Sequence, residues 1–289
     1  MKRAIPLALA AAFGLAAASA SAAQSYGDTL VAQEMAQHRD LITLSLYATP
    51  PKSTDFTVVA SSDAGAAGAA TGTAQTAQHS GKPLQVRSAD GAALSTYLPL
   101  LDVAGEPIGT VAVTLPYRGE TDSAALLQQA TAVRDELRRR VINVANLLDP
   151  YPYMQDVQAS PYAQQLVDRI MARHPELLVL ALHVRNTAGT DYPIIASNIG
   201  RIGKKADGDD MHVVQTGEPL MGAYGPNKSR FGIELPMYDV QGTRIGAMSV
   251  GYRHQPGDDE QALLKRALQV EAEMREQIPS TARLIAPGI

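Results

Sequence analysis

The chain has no cysteine among its 289 residues. That excludes a disulfide, a thiolate nucleophile, a cysteine-based zinc site, c-type haem attachment and a lipoprotein cysteine. Positive charge is scarce: 25 Lys and Arg stand against 29 Asp and Glu, a formal net of −4. Non-specific nucleic-acid binding needs a basic footprint, so no nucleic-acid partner is expected. The 18 prolines and 23 glycines follow no collagen-like period. After the N-terminal segment, no apolar run approaches the ~20 residues that a membrane span needs. What the chain does have is 45% hydrophobic residues, enough for a packed core. Its length fits two domains or one large one.

Lys2 and Arg3 are followed by an Ala- and Leu-rich stretch and then by Ala18, Ser19, Ala20, Ser21, Ala22 and Ala23. A basic start, an apolar middle and a small-residue end make a secretory signal peptide over residues 1–23, cleaved after Ala22 or Ala23. An uncleaved anchor is the alternative, weakened by Pro6 and Gly14 inside the run. The mature chain is expected to be periplasmic or secreted. Without Lys2 and Arg3 it carries 23 basic and 29 acidic residues, a net of −6.

The rest of the chain is one unit written twice. At an offset of 136, Tyr26, Leu30, Val31, Met35, Ala36, His38, Leu41, Leu44 and Leu46 meet identical residues from Tyr162 to Leu182, nine identities in 23 positions. Gly81, Pro83 and Leu84 meet Gly217, Pro219 and Leu220 in the same register. One inserted residue then moves the offset to 137. Asp102, Gly105, Gly109 and Val113 now meet Asp239, Gly242, Gly246 and Val250, and Glu136 and Arg138 meet Glu273 and Arg275. Two similar globular domains explain a repeat this long better than a solenoid.

Each unit opens with a helix. Ser160 and Pro161 supply an N-cap and a first-turn proline. Alternation predicts strands at residues 177–185, 193–196, 231–238 and 244–253, with a polar, partly helical stretch over 198–217. A helix closes the unit over about 258–278. The expected fold class is α+β: two duplicated domains, each an antiparallel sheet covered by helices, joined by a long helix. That linking helix, residues 123–148, carries Leu126, Ala130, Val133, Leu137, Val141, Val144 and Leu148 on one stripe. The stripe packs on its own domain or on the other copy, or forms a homodimer seam. The domains are read as 24–148 and 160–289, with a linker over 149–159. In the last strand, Ala247, Ser249 and Gly251 form a small-residue side that lines a cavity or faces water.

Several motifs of the second copy resemble the Cache (PAS-like) extracellular sensor domains. They are Ile194-Ile195-Ala196-Ser197-Asn198, Ile202-Gly203-Lys204, Asp207, Gly217-Glu218-Pro219, Glu234 through Asp239, and Gly242 with Ile245-Gly246-Ala247. Their order and spacing carry the resemblance. It implies a pocket between sheet and overlying helical loops, and binding of a small metabolite of the amino-acid, amine or carboxylate class. No signalling output follows within the 289 residues, so any signal is expected to pass to a membrane receptor partner.

The copies are unequally equipped. Residues 63–78 are low in complexity and nearly uncharged, whereas 199–214 carry Arg201, Lys204, Lys205, Asp207, Asp209, Asp210 and His212. The second copy is therefore the expected binder. Its candidate site residues are Ser197, Arg201, Lys204, Asp207, Asp210, Tyr224, Arg230, Glu234, Tyr238 and His183. Tyr97 stands where the second copy has Glu234. Solvated loop charges and a helix cap at Ser197 are the plainer alternatives. His38 and His174 sit at matching helix ends, where a cation suits the dipole. No catalytic centre, metal site or cofactor is expected: no nucleophile elbow, phosphate loop or EF-hand spacing is present. The chain is thus read as an exported small-molecule sensor and not an enzyme. The alternative is a ligand-free interaction or dimerisation scaffold.

Overall fold

A computed structural model describes residues 24–66, 72–119, 123–154, 157, 159–185 and 191–286. The expected signal peptide and part of the 63–78 stretch lie outside the described residues.

The first unit runs α1 (Tyr26–Gln37), β1 (Thr43–Ala48), β2 (Thr57–Ser61), α2 (Gly72–Ser80), β3 (Leu84–Arg87), β4 (Ala93–Leu101), β5 (Pro107–Pro116), α3 (Ser123–Arg138) and α4 (Val144–Leu147). The second repeats it as α5 (Pro161–Arg173), β6 (Leu177–Val184), β7 (Ile194–Ser197), α6 (Gly208–Thr216), β8 (Leu220–Tyr224), β9 (Arg230–Tyr238), β10 (Arg244–Arg253), α7 (Glu260–Arg275) and α8 (Thr281–Ile285). Each unit forms one antiparallel sheet of five strands, in the orders β2-β1-β5-β4-β3 and β7-β6-β10-β9-β8. The α+β class and the duplication are therefore as the sequence reads.

The shared residues are the ones the fold needs. In each unit the long helices cover one sheet face. Leu30, Val31, Val133 and Leu137 pack on Leu44, Leu46, Val111 and Val113. Leu166, Val167, Val270 and Met274 pack on Leu180, Leu182, Met248 and Val250. Each such fully buried aliphatic chain contributes about 1.5–3 kcal/mol. The Tyr26 hydroxyl donates to the Arg140 carbonyl, and the equivalent Tyr162 hydroxyl donates to that of Gln277. Gly109 and Gly246 lie so close to the neighbouring strand that a Cβ would stand 2.1 and 1.9 Å from the carbonyl oxygens of Tyr47 and His183. Only glycine fits there.

Two features differ from the sequence reading. The linking helix is not continuous to residue 148. It ends at Arg138, and a separate turn of helix starts after Asn143, whose extended backbone and side chain cap the Asn146 N–H. The Val141 carbonyl is taken by the Val103 N–H of the β4–β5 turn, which draws the chain out of the helix. Ala130, Val133, Leu137 and Val141 of the stripe are buried in their own unit's core. The second feature is β8, an edge strand with two exposed residues and no clean alternation to announce it.

The units are fastened to one another. Val103, Ala104 and Ile142 pack against Leu178, Val179 and Ile199. Arg230 forms a buried ion pair with Asp102, and Arg253 donates to the Ala104 carbonyl. Asn146 and Asn198 each donate across the joint, to the carbonyls of Ile199 and Arg139. Among the described residues, no helix is long and apolar enough to cross a membrane.

Candidate functional site

The second sheet has a face turned away from its core, and a cavity of about 480 Å³ opens on it. That volume suits a small ligand. Its floor is a row of three glycines facing one another across three strands: Gly222 on β8, Gly232 on β9 and Gly251 on β10. A Cβ at Gly222 would meet nothing within 4 Å, whereas at Gly232 it would touch the Tyr224 ring at 3.2 Å. Tyr224 thus lies over the row. Glycine weakens a strand interior by roughly 0.5–1 kcal/mol; here Gly232 and Gly251 make room for Tyr224 to lie on the sheet, and Gly222 faces open space.

Glu234 and Ser249 lie one step along the same strands, directly opposite each other, and both line the cavity. The Ser249 side chain favours the charged form of Glu234. Among the described residues, the Glu234 Oε2 is sealed from solvent and has no hydrogen-bond partner. Burial, opposed by Ser249 and aided by nearby Asp210 and Asp207, pushes the Glu234 carboxyl up to about 8. Near neutral pH the shift favours the protonated carboxyl.

The wall behind Glu234 is also titratable. Asp207 caps α6 and Asp210 closes the capping box, its Oδ2 accepting the Asp207 N–H at 2.9 Å. This first turn of α6 places Asp210 over the sheet, only 5% exposed. His183 of β6 is buried beside it, with Nε2 3.5 Å from the Asp210 Oδ2. Its Nδ1 faces the Tyr192 carbonyl at 3.0 Å and so carries the ring hydrogen of the neutral form. Burial lowers the His183 pKa, and Asp210 works against that shift. Asp209 adds a further carboxylate at the cavity edge.

Of the ten residues named from sequence, Glu234 and Tyr224 line this cavity, while Asp210 and His183 pair behind Glu234, with Asp207 holding Asp210. Lys204 is half-buried nearby, and its charge opposes protonation of His183. The others stand elsewhere. Arg201 adopts a left-handed backbone (φ 62°) and points its Nε at Asp149, 3.5 Å away, in the joint. Arg230 is committed to Asp102. Ser197 lines a separate cleft between the units, of about 510 Å³, with Arg140, Tyr26 and Gln164. Tyr238 lies under the Arg275 guanidinium. The sequence reading did not single out Gly222 or Gly232. Setting the copies side by side exposes them, because the first unit has Val86 and Ser95 there.

No protein-family model matches the chain, and no curated protein matches it. Several solved structures do, at low identity. The GAF domain of A. aeolicus nlh2 shares 12% identity over 43% of this chain and 94% of its own, with a TM-score of 0.30. The inducer-binding domain of the PobR transcription factor from Acinetobacter, in complex with 3-hydroxybenzoic acid, shares 11% over 41% and 95%, with a TM-score of 0.28. PelD from Pseudomonas aeruginosa PAO1 shares 15% over 89% and 78%, with a TM-score of 0.29. None of these three is a Cache domain by name. Scores this low carry no functional weight, and the fold rests on the element order and strand pairing given above.

Proposed function

We propose that this chain is an exported sensor that binds a small polar molecule in the cavity of its second unit and passes the signal to a membrane partner. The observation that carries this is the glycine row beside a buried carboxyl oxygen, the Glu234 Oε2, that has no hydrogen-bond partner among the described residues. Space and an unsatisfied polar atom occur together, which is what an orienting pocket requires. Of the ligand classes that the Cache resemblance implies, the acidic lining favours a cationic nitrogen over a carboxylate. An ammonium group beside Glu234 takes the place of the proton that burial keeps there. Binding then releases a proton, and affinity rises with pH up to about 8. The unit binds and orients its ligand; no catalytic step is assigned to it. Export rests on the basic, apolar and small-residue order of residues 1–23.

The test is a thermal-shift and calorimetric titration of residues 24–289 with amines, amino acids and carboxylates. A ligand bound only by the folded state raises the melting temperature by mass action. A primary amine is expected to bind and to be lost with Gly222→Val, which fills open space without a clash. Binding that survives Gly222→Val places the ligand elsewhere. No shift with any class favours the ligand-free scaffold. The mass of the N-terminus in protein recovered from the periplasm tests export.

A further inference from the structure

We infer that Glu34, His38 and Glu136 of the first unit form a binding site for a zinc-like divalent transition-metal ion. The pair of His38 and Glu136 is common to both units. The His38 Nε2 lies 2.9 Å from the Glu136 Oε2, and the His174 Nε2 lies 2.8 Å from the Glu273 Oε2. Each pair ties the end of the opening helix to the closing helix. The first unit adds one residue to this arrangement. Glu34 lies one turn before His38, where the second unit places the core residue Ile170.

Glu34 is only 1% exposed. Among the described residues, its Oε2 has no hydrogen-bond partner. The nearest cationic atoms are the His38 Nε2, 3.6 Å from Oε2, and the Arg140 Nη1, 3.6 Å from Oε1. Both distances exceed a hydrogen bond. A carboxylate in a position built for isoleucine is costly unless a cation sits against it.

The geometry fits a metal. All three donor atoms lie within 4.8 Å of one another. Zinc held at about 2.0–2.1 Å in a tetrahedron sets its ligand atoms roughly 3.3 Å apart. The separations of 2.9 and 3.6 Å from the His38 Nε2 bracket that value. One imidazole and two carboxylates suit zinc better than calcium or magnesium, which take six or more oxygens. The supporting contacts are also present. Arg140 faces the other oxygen of Glu34, and the Gln37 Nε2 donates to the Glu136 carboxylate at 3.1 Å. Outer contacts of this kind orient ligands. His38 and Glu136 are partly exposed, which gives the ion an entry path and leaves a fourth position for water.

The test titrates the full chain, stripped with EDTA, with zinc chloride by calorimetry and with cobalt(II) by visible absorption. One zinc per chain is expected, with cobalt bands typical of four-coordination. Glu34→Ile installs the residue that the second unit carries. It should weaken zinc by roughly 100-fold or more, since even an outer contact of a metal ligand is worth 10–100-fold. Glu34→Gln keeps the shape and should do the same, which covers a failure of the isoleucine variant to fold. His174→Ala should leave zinc binding unchanged. Three outcomes overturn the assignment: no saturable zinc binding, binding that survives both Glu34 variants, or equal loss on His38→Ala and His174→Ala.

Discussion

The outer faces of the two sheets differ at almost every position that could hold a ligand, while the faces under the long helices match. In the second unit that outer face presents His183, Asp210, Glu234 and Ser249 over Gly222, Gly232 and Gly251. The first unit has Tyr47, Ala74, Tyr97 and Ala112 over Val86, Ser95 and Thr114 at the same register positions. There Tyr47, Phe56, Ala74 and Ala112 form an apolar cluster with Tyr97 against it, and the Ser95 and Thr114 hydroxyls bond each other at 2.9 Å. One copy closes the face with side chains and the other clears it. The duplicated scaffold is held by its cores, caps and turns, so this face is free to diverge without loss of fold.

The largest difference between the units should appear at their matched turn aspartates. Asp102 accepts from the N–H groups of Ala104 and Glu106, and Asp239 from those of Gln241 and Thr243. Only Asp102 also neutralises a buried arginine, Arg230 of the other unit. Asp102→Ala should cost about 3–5 kcal/mol, because it leaves that guanidinium buried and unpaired. Asp239→Ala should cost only its hydrogen bonds, about 1 kcal/mol each. Urea unfolding of the two variants checks this, and equal losses would show that the cross-unit pair adds nothing.

The next effect is in pH. The folded-state pKa of Glu234 lies near 8, above the ordinary 4.5. Between these values the folded state keeps a proton that the unfolded state has lost. Stability therefore falls as pH rises from about 4.5 to 8, on the order of 2–3 kcal/mol after solvent screening. His183 is shifted downward, so its contribution is confined to pH below 6.5 and has the opposite sign. Glu234→Gln should flatten the decline between pH 6.5 and 8. A decline unchanged in Glu234→Gln would remove the buried acid from the cavity account.

A smaller effect sharpens the contrast in the glycine row. Gly222→Val restores the residue of the first unit and should stabilise the sheet by roughly 0.5–1 kcal/mol. The same change should abolish ligand binding. Gain in one measurement and loss in the other would show that strand stability is traded for space here.

Much of this was legible in the sequence because the repeat supplies an internal alignment. The identities fall on buried positions such as Leu30, Leu44 and Leu46, which is why the register and most elements could be read. Glu234, Asp210, His183 and Tyr224 were legible as polar residues where the first copy has none or a different one. The joint was not legible. Asp102 and Arg230 are 128 residues apart, and nothing local pairs them. Arg201 and Ser197 looked like ligand anchors, but a left-handed turn and a bulged edge strand carry them to the interface. The break after Arg138 was hidden because Val141 continues the apolar period, although a turn in another part of the unit takes its carbonyl.

The smallest effect concerns the histidines at the helix ends. The Glu273 hydrogen bond raises the His174 pKa above its ordinary 6.5, with Glu176 adding to it. The protonated ring is favoured in the folded state, so its contribution is complete below pH 6.5 and is lost as pH rises through the folded pKa. The ring lies at the surface, with 23% of the side chain exposed and Glu273 at 27%, so solvent screening keeps the pair to about 1 kcal/mol or less. His174→Gln should lower stability by that much at pH 6 and by almost nothing at pH 8.5. In a zinc titration His174→Gln should match the parent chain, whereas His38→Gln should not, because only the first unit sets a buried carboxylate one turn before its histidine. Thermal melts at the two pH values, each with and without zinc, separate an ion pair common to both units from a site confined to one.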